Sequence, residues 1–210
     1  MLINIVLSGD NAVVIAMASR NLPSKQQKQA VWWGSAGAVI LRLVLTVAAV
    51  MLLNVPFIQA AGSLLLFYIA IKLLADENSH DQIKGASTLY SAVWTIIVAD
   101  FVMSLDNVLA IAAVAEGDYA MIVLGIGLSI PLIVWGSSVI MKLLHMFPVL
   151  TYLGAGILGF TAGEMLVGDP KIDEMILHGN PYMHIGIPVG LTLIVISLGL
   201  LQKSKWIRIT

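Results

Sequence analysis

The sequence predicts an all-α membrane protein of seven transmembrane helices, arranged as two inverted three-helix repeats plus one C-terminal helix. Three observations lead there: the composition, the spacing of apolar runs and an internal repeat. Of 210 residues, 59% are hydrophobic and only 11% are charged, and the mean hydropathy is +0.96. Soluble domains carry about 25% charged and about 45–50% apolar residues. A chain of this length has no interior large enough for the excess, so the excess must face lipid. The net charge is −1, with neither a basic tail nor an aromatic-plus-basic stretch, which argues against nucleic acid as a partner. Cysteine is absent, which removes disulfides, thiolate metal sites and cysteine nucleophiles.

Seven apolar runs follow one another at roughly 1–19, 30–54, 57–75, 87–115, 119–142, 147–168 and 183–202. Each has the roughly 19 residues that a helix needs to cross about 30 Å of hydrocarbon. The first run lacks a charged n-region and an Ala-x-Ala cleavage site, so it reads as a span, not a signal peptide. It begins at Met1 itself, and a few residues upstream are expected to be missing. Turn chemistry separates the runs: Asn21-Leu22-Pro23-Ser24, Asn54-Val55-Pro56, Asp76 to Gly85, Glu116-Gly117-Asp118 and Gly168-Asp169-Pro170. No break is long enough to hold two folded domains apart. A single transmembrane domain, 1–210, is expected, with repeat one at about 1–75, repeat two at about 87–168 and an extra helix at about 183–202.

The basic residues set the orientation. With the N-terminus outside, one side collects Arg20, Lys25, Lys28, Lys72, Lys84, Lys142, Lys203, Lys205 and Arg208, and the other only Lys171. Such a bias marks the cytoplasmic face. The expectation is a multi-pass protein of the cell membrane, N-out and C-in, with loops 20–30, 76–86 and 142–147 in the cytoplasm. Trp32, Trp33 and Trp206 then fall near the inner interface, as aromatic anchors do.

The repeat carries the functional weight. Asn4-Ile-Val-Leu-Ser8-Gly-Asp10-Asn11-Ala-Val-Val-Ile15-Ala16 returns as Asp100-Phe-Val-Met-Ser104-Leu-Asp106-Asn107-Val-Leu-Ala-Ile111-Ala112. Ser8, Asp10, Asn11, Ile15 and Ala16 recur identically, and Asp100 stands where Asn4 stood. A weaker echo pairs Gly62 to Leu74 with Gly154 to Leu166 and sets Lys72 opposite Glu164. A repeat of three spans re-enters the membrane upside down, as in transporters whose site lies near the midplane between halves.

An acid at the centre of a span costs roughly 2.5–3.5 kcal/mol to insert. Two acids at matching positions, Asp10 and Asp106, therefore point to use. Asp100, Met103 and Asn107 share one helix stripe, with Asp106 about a third of a turn away. The competing reading of Asp100 is a buried acid paired with a neighbouring helix, and that of Asn4 is an interhelical hydrogen bond. Glu164, four residues before Gly168, is read either as pathway or as a residue reaching the outer interface. Arg42, well inside the second span, is expected to offset one of the buried acids. Lys72 is expected to snorkel to the cytoplasmic face. His145, His178 and His184 read as interfacial, and His80 as part of a solvated loop. Gly34, Gly37, Gly125, Gly127, Gly154, Gly156 and Gly159 read as close helix packing.

Asp, Asn and Ser at a midplane offer hard oxygen ligands, suited to Mg²⁺, Ca²⁺ or Mn²⁺. Local unwinding beside Gly9 would add backbone carbonyls. Met103 is either a softer ligand favouring Mn²⁺ or a lipid-facing or packing residue, as its counterpart Leu7 suggests. Zinc-hydrolase motifs are absent and no histidine lies in the core, so no enzyme is expected. Nor is a resident cofactor or a nucleotide-binding motif evident.

Leu-Ser-Gly-Asp-Asn-Ala-Val-Val-Ile-Ala (7–16) and Ala-Asp-Phe-Val-Met-Ser-Leu-Asp-Asn-Val-Leu-Ala-Ile-Ala (99–112) resemble the paired motifs of the TerC family, close to its YjbE-type bacterial branch. The resemblance runs through Gly159-Phe-Thr-Ala-Gly-Glu164 and covers essentially the whole chain. It implies export of Mn²⁺ from the cytoplasm, with Asp10, Asn11, Asp100, Asp106 and Asn107 lining the ion path. Asn4, Ser8, Met103, Ser104 and Glu164 are secondary candidates for ligands or pathway. Two other classes stay open: a membrane scaffold whose polar motifs lock helices together, and an exporter of an amino-acid-like solute, which would need a cation such as Arg42 for the substrate carboxylate.

Overall fold

The structure is a computed structural model and describes residues 9–53, 55–78, 88–115, 119–178 and 180–207. At Gly9 and at the helical residues 47, 49–53, 76–78, 106–115, 119–130, 132 and 202–207 it describes the backbone alone. Among the described residues every regular element is helical: α1 (Gly9–Ser19), α2 (Ser24–Leu53), α3 (Ile58–Asn78), α4 (Leu89–Ala115), α5 (Tyr119–Met146) and α6 (Val149–Gly168). A single turn, α7 (Pro170–Ile172), then runs into a π-helical turn (Asp173–Leu177) before α8 (Pro181–Ile207).

Among the described residues, four stretches are long and apolar enough to cross a membrane: Ser24–Thr46, Ile58–Ala75, Val149–Gly168 and Pro181–Leu201. Shorter apolar helical stretches, Asp10–Ser19, Leu89–Leu105 and Ile133–Met146, lie where the first, fourth and fifth spans are expected. Helix α2 begins six residues before its apolar run, because the polar segment Ser24–Gln29 is made of good helix formers that follow Pro23. The turn ahead of it is held by Leu22 N–H on the Ser19 carbonyl and by Gln27 Nε2 on the Arg20 carbonyl. The break expected after Gly168 contains α7 and the π turn, which end at His178 with a left-handed φ of 51°.

The chain forms two compact units. One, Met1–Val55 with Ser87–Met146, holds α1, α2, α4 and α5. Its most extensive contacts are α2 on α4 and α1 on α5. The α2–α4 contact is close because Gly34 and Gly37 face Ile96 and Ile97. A Cβ at Gly34 would sit 2.8 Å from Ile96 Cδ1, and one at Gly37 2.7 Å from Ile97 Cδ1. Leu22, Ala30 and Ala92 close one end of this seam, and Leu45 packs with Leu41 and Phe101.

The other unit, Pro56–Ala86 with Phe147–Thr210, holds α3, α6, α7, the π turn and α8. Helix α6 packs on both α3 and α8. Gly163 lies directly against the backbone of Pro188, leaving no room for a methyl group. Ser63 Oγ donates to the Ala162 carbonyl at 2.6 Å, and Thr192 Oγ1 reaches the Gly156 carbonyl at 3.3 Å.

Asp169, in the break after α6, is almost fully buried. Its Oδ1 accepts from the amides of Lys171 and Ile172, and its Oδ2 from the amide of Ala60 in the first turn of α3. One carboxylate thus satisfies orphan donors at two helix N-termini, where negative charge is favoured. The exposed Lys171 donates to Glu174 at 2.7 Å, and that hydrogen bond holds the Glu174 carboxyl below its ordinary range.

Candidate cation site

Helix α4 carries Asp100 and Ser104 one turn apart, and α2 carries Arg42 opposite them. All three side chains are buried, Asp100 at 7% and Arg42 at 3% exposure. Arg42 Nη2 donates to Asp100 Oδ1 at 2.5 Å, and Arg42 Nε donates to Ser104 Oγ at 2.9 Å. Ser104 Oγ in turn donates to Asp100 Oδ2 at 3.2 Å. The three groups form a closed ring in which each oxygen accepts one bond.

The local reasons are plain. Asp100 and Ser104 share a helix face because they are four residues apart. A carboxylate in that position needs an opposite charge, and the planar guanidinium supplies it while reaching Asp100 and Ser104 with separate N–H groups. The pair is not a net source of stability, since desolvating both ions offsets most of their attraction. Removing one partner is different: an uncompensated buried charge costs about 3–5 kcal/mol. Thr46 Oγ1 donates back to the Arg42 carbonyl at 2.8 Å, which fixes the helix turn carrying the arginine.

The first motif adds a second acid. Asp10 is half-buried, and Asn11 is buried at 3% exposure. The Asn11 amide donates to Asp10 Oδ1 at 2.9 Å. Asp10 interacts electrostatically with both Arg42 and Asp100, so the first motif shares a field with the ring. Met103 is buried beside Ser104, at 3% exposure, and is not a lipid-facing residue.

Of the other candidates, Asn4 and Ser8 lie outside the described residues, as does His80. Asp106 and Asn107 are in α4, one turn beyond Met103, but their side chains lie outside what is described. Glu164 belongs to the second unit, on an exposed stripe of α6 with Leu153, Ile157 and Phe160. Among the described residues no three His, Asp or Glu side chains gather into one group.

The expectation that Arg42 offsets a buried acid corresponds to its bond with Asp100. Two features are not evident from the sequence. Ser104 links acid and base rather than standing alone. Asp169 is a buried double cap, although Asp followed by Pro at the head of a helix is a recognisable N-terminal signal.

The family model described as Integral membrane protein TerC family matches residues 1–206. The Bacillus subtilis protein named "Uncharacterized membrane protein YjbE" is 47% identical over 179 residues, covering 85% of this chain and 82% of its own length. Two more distant relatives are "Uncharacterized membrane protein YceF" of the same organism and "UPF0053 inner membrane protein YgdQ" of Escherichia coli. The first is 28% identical over 76% of this chain and 66% of its own length, and the second 26% identical over 97% and 91%. No solved structure matches the chain.

Proposed function

The chain belongs to the integral membrane protein TerC family, and from that premise we propose that it exports a divalent metal cation, Mn²⁺, from the cytoplasm. The single observation that carries this reading is the presence of two acids inside the first unit, half-buried Asp10 on α1 and buried Asp100 on α4, set in the two copies of one motif. Three motif-region acids, Asp10, Asp100 and Asp106, stand against one arginine, Arg42, leaving two negative charges. A divalent ion neutralises that charge, and a monovalent ion does not. The donors are carboxylate, amide and hydroxyl oxygens, which suit Mn²⁺, Ca²⁺ and Mg²⁺ in type. Mg²⁺ surrenders its waters reluctantly and Ca²⁺ asks for about six to eight ligands, so a compact dehydrating site favours Mn²⁺.

The packing of the first unit supports an inverted-repeat reading. Exchanging the two halves carries α1 to α4 and α2 to α5, so the α2–α4 contact becomes α5–α1. Those are the two most extensive contacts in that unit. With the N-terminus outside, the ion would pass between cytoplasm and exterior through the paired Ser-x-Asp-Asn motifs. Mn²⁺ is here a transported substrate and not a resident cofactor.

The engagement of Arg42 by Asp100 and Ser104 weighs against an amino-acid exporter, which would need that guanidinium for its substrate. A scaffold role is separated by metal binding to the purified protein. Mn²⁺ should bind to the wild type, and the binding should be lost on Asp10→Asn and Asp106→Asn. Retention of binding in both variants would exclude the paired-motif site.

A further inference from the structure

The ring on α2 and α4 has a consequence for how a cation is admitted and released. Its three oxygen atoms, Asp100 Oδ1, Asp100 Oδ2 and Ser104 Oγ, are hard donors of the kind a divalent ion takes. Arg42 holds two of them directly, Asp100 Oδ1 at 2.5 Å and Ser104 Oγ at 2.9 Å, and the third through Ser104. We propose that Arg42 is a tethered competitor for the transported cation, holding Asp100 and Ser104 when no ion is bound and yielding them when one arrives. The proposal rests on the cation-export reading above and adds a control on that same site.

Three physical points support it. A guanidinium does not deprotonate in a protein, so Arg42 cannot leave Asp100 by losing its charge. It leaves only when another positive charge takes the carboxylate. Second, the ring is buried, with Ser104 at 0% and Arg42 at 3% exposure, so water screens the contest poorly. A divalent ion and Arg42 at the same carboxylate repel one another strongly, so each weakens the other's hold. Third, Asp10 feels both Arg42 and Asp100, so an ion first met by the Asp10 motif already sits in the field of the ring.

The competition has a measurable signature. If the arginine-bound form dominates the empty protein, the apparent affinity is lowered by the fraction of molecules in which Asp100 is free. The same competition assists release, because the returning guanidinium displaces the ion. Removing Arg42 should therefore tighten binding while slowing turnover. Loss of a residue that merely tied two helices together would not tighten binding.

The test uses the full-length protein in lipid nanodiscs, with Mn²⁺ binding followed by calorimetric titration and Mn²⁺ uptake followed in vesicles. Arg42→Gln is expected to lower the Kd about tenfold, within the usual range of coupling between sites. The half-saturation concentration for uptake should fall with it, and the maximal rate should drop. The gain should vanish in an Asp100→Asn background, where no carboxylate is freed. Arg42→Lys retains the buried charge and guards against misfolding of the glutamine variant. Its single ammonium lacks the fork, so it competes less well, and its Kd should shift in the same direction by a smaller factor. Binding that is unchanged or weaker in both variants, beside normal binding by the wild type, overturns the competitor role and leaves the export reading intact. No Mn²⁺ binding by any form overturns both.

Discussion

Asp100 illustrates what a residue in a span must satisfy before it can do anything else. Its carboxylate accepts from Arg42 and Ser104, and the whole group is shut away from solvent. Ser104 is the inexpensive member of the ring to remove, since no charge is stranded. Ser104→Ala leaves Arg42 Nε and Asp100 Oδ2 each one bond short, a loss of about 1–3 kcal/mol for buried polar groups. Thermal unfolding in detergent should show a lowered Tm with the protein still inserted. An unchanged Tm would mean the ring is not closed in the membrane. At this scale much was legible in the sequence: acids in apolar runs, and an arginine to offset one of them. That Asp100 is a partner of Arg42 was not. It depends on how α2 and α4 meet, and the partners lie 58 residues apart.

Elements in this chain are joined by contacts in which a single atom decides the fit. Gly163 abuts the backbone of Pro188, which cannot rotate away as a side chain would. Gly163→Ala should overpack the α6–α8 contact by about 1–3 kcal/mol, read as a lowered Tm. The milder test is Asp169. Asp169→Ala removes an acceptor from the amides of Ala60, Lys171 and Ile172 at once. Caps of this kind contribute about 0.5–2 kcal/mol each, so the start of α3 and the α6–α7 junction should both loosen. Hydrogen exchange should rise at both places together, and a rise at only one would show that the carboxylate does not bridge them. Helix positions were readable from apolar runs because lipid imposes length and composition. The π turn and the double cap were not readable, since both depend on which chain ends meet after folding.

The whole molecule is an integral membrane protein whose helices sort into two units, each mixing both halves of the sequence. The first unit takes α1 and α2 with α4 and α5, and the second takes α3 with α6 and α8. A repeat in the linear sequence leads one to expect halves that pack as blocks. The first unit instead interleaves helices of both halves, with α2 on α4 and α1 on α5 as its most extensive contacts, which a linear pattern does not display. The expected N-out, C-in orientation rests on the nine-to-one distribution of basic residues in the sequence, and Lys171, the one basic residue expected outside, pairs with Glu174. Cysteines introduced at Ser24 and Ser204 should react with an impermeant reagent only from the cytoplasm. Labelling from outside would reverse the direction of transport argued above.

Transport itself is the most direct test. Inverted membrane vesicles turn the cytoplasmic face outward, so an exporter fills them. Vesicles carrying the wild type should accumulate Mn²⁺ well above protein-free controls, and an imposed pH gradient would reveal whether protons drive the exchange. Vesicles carrying Asp10→Asn or Asp106→Asn should not accumulate it, although each substitution makes its helix cheaper to insert. Accumulation by either variant at the wild-type rate, or none by the wild type under any gradient, would contradict Mn²⁺ export through the paired motifs.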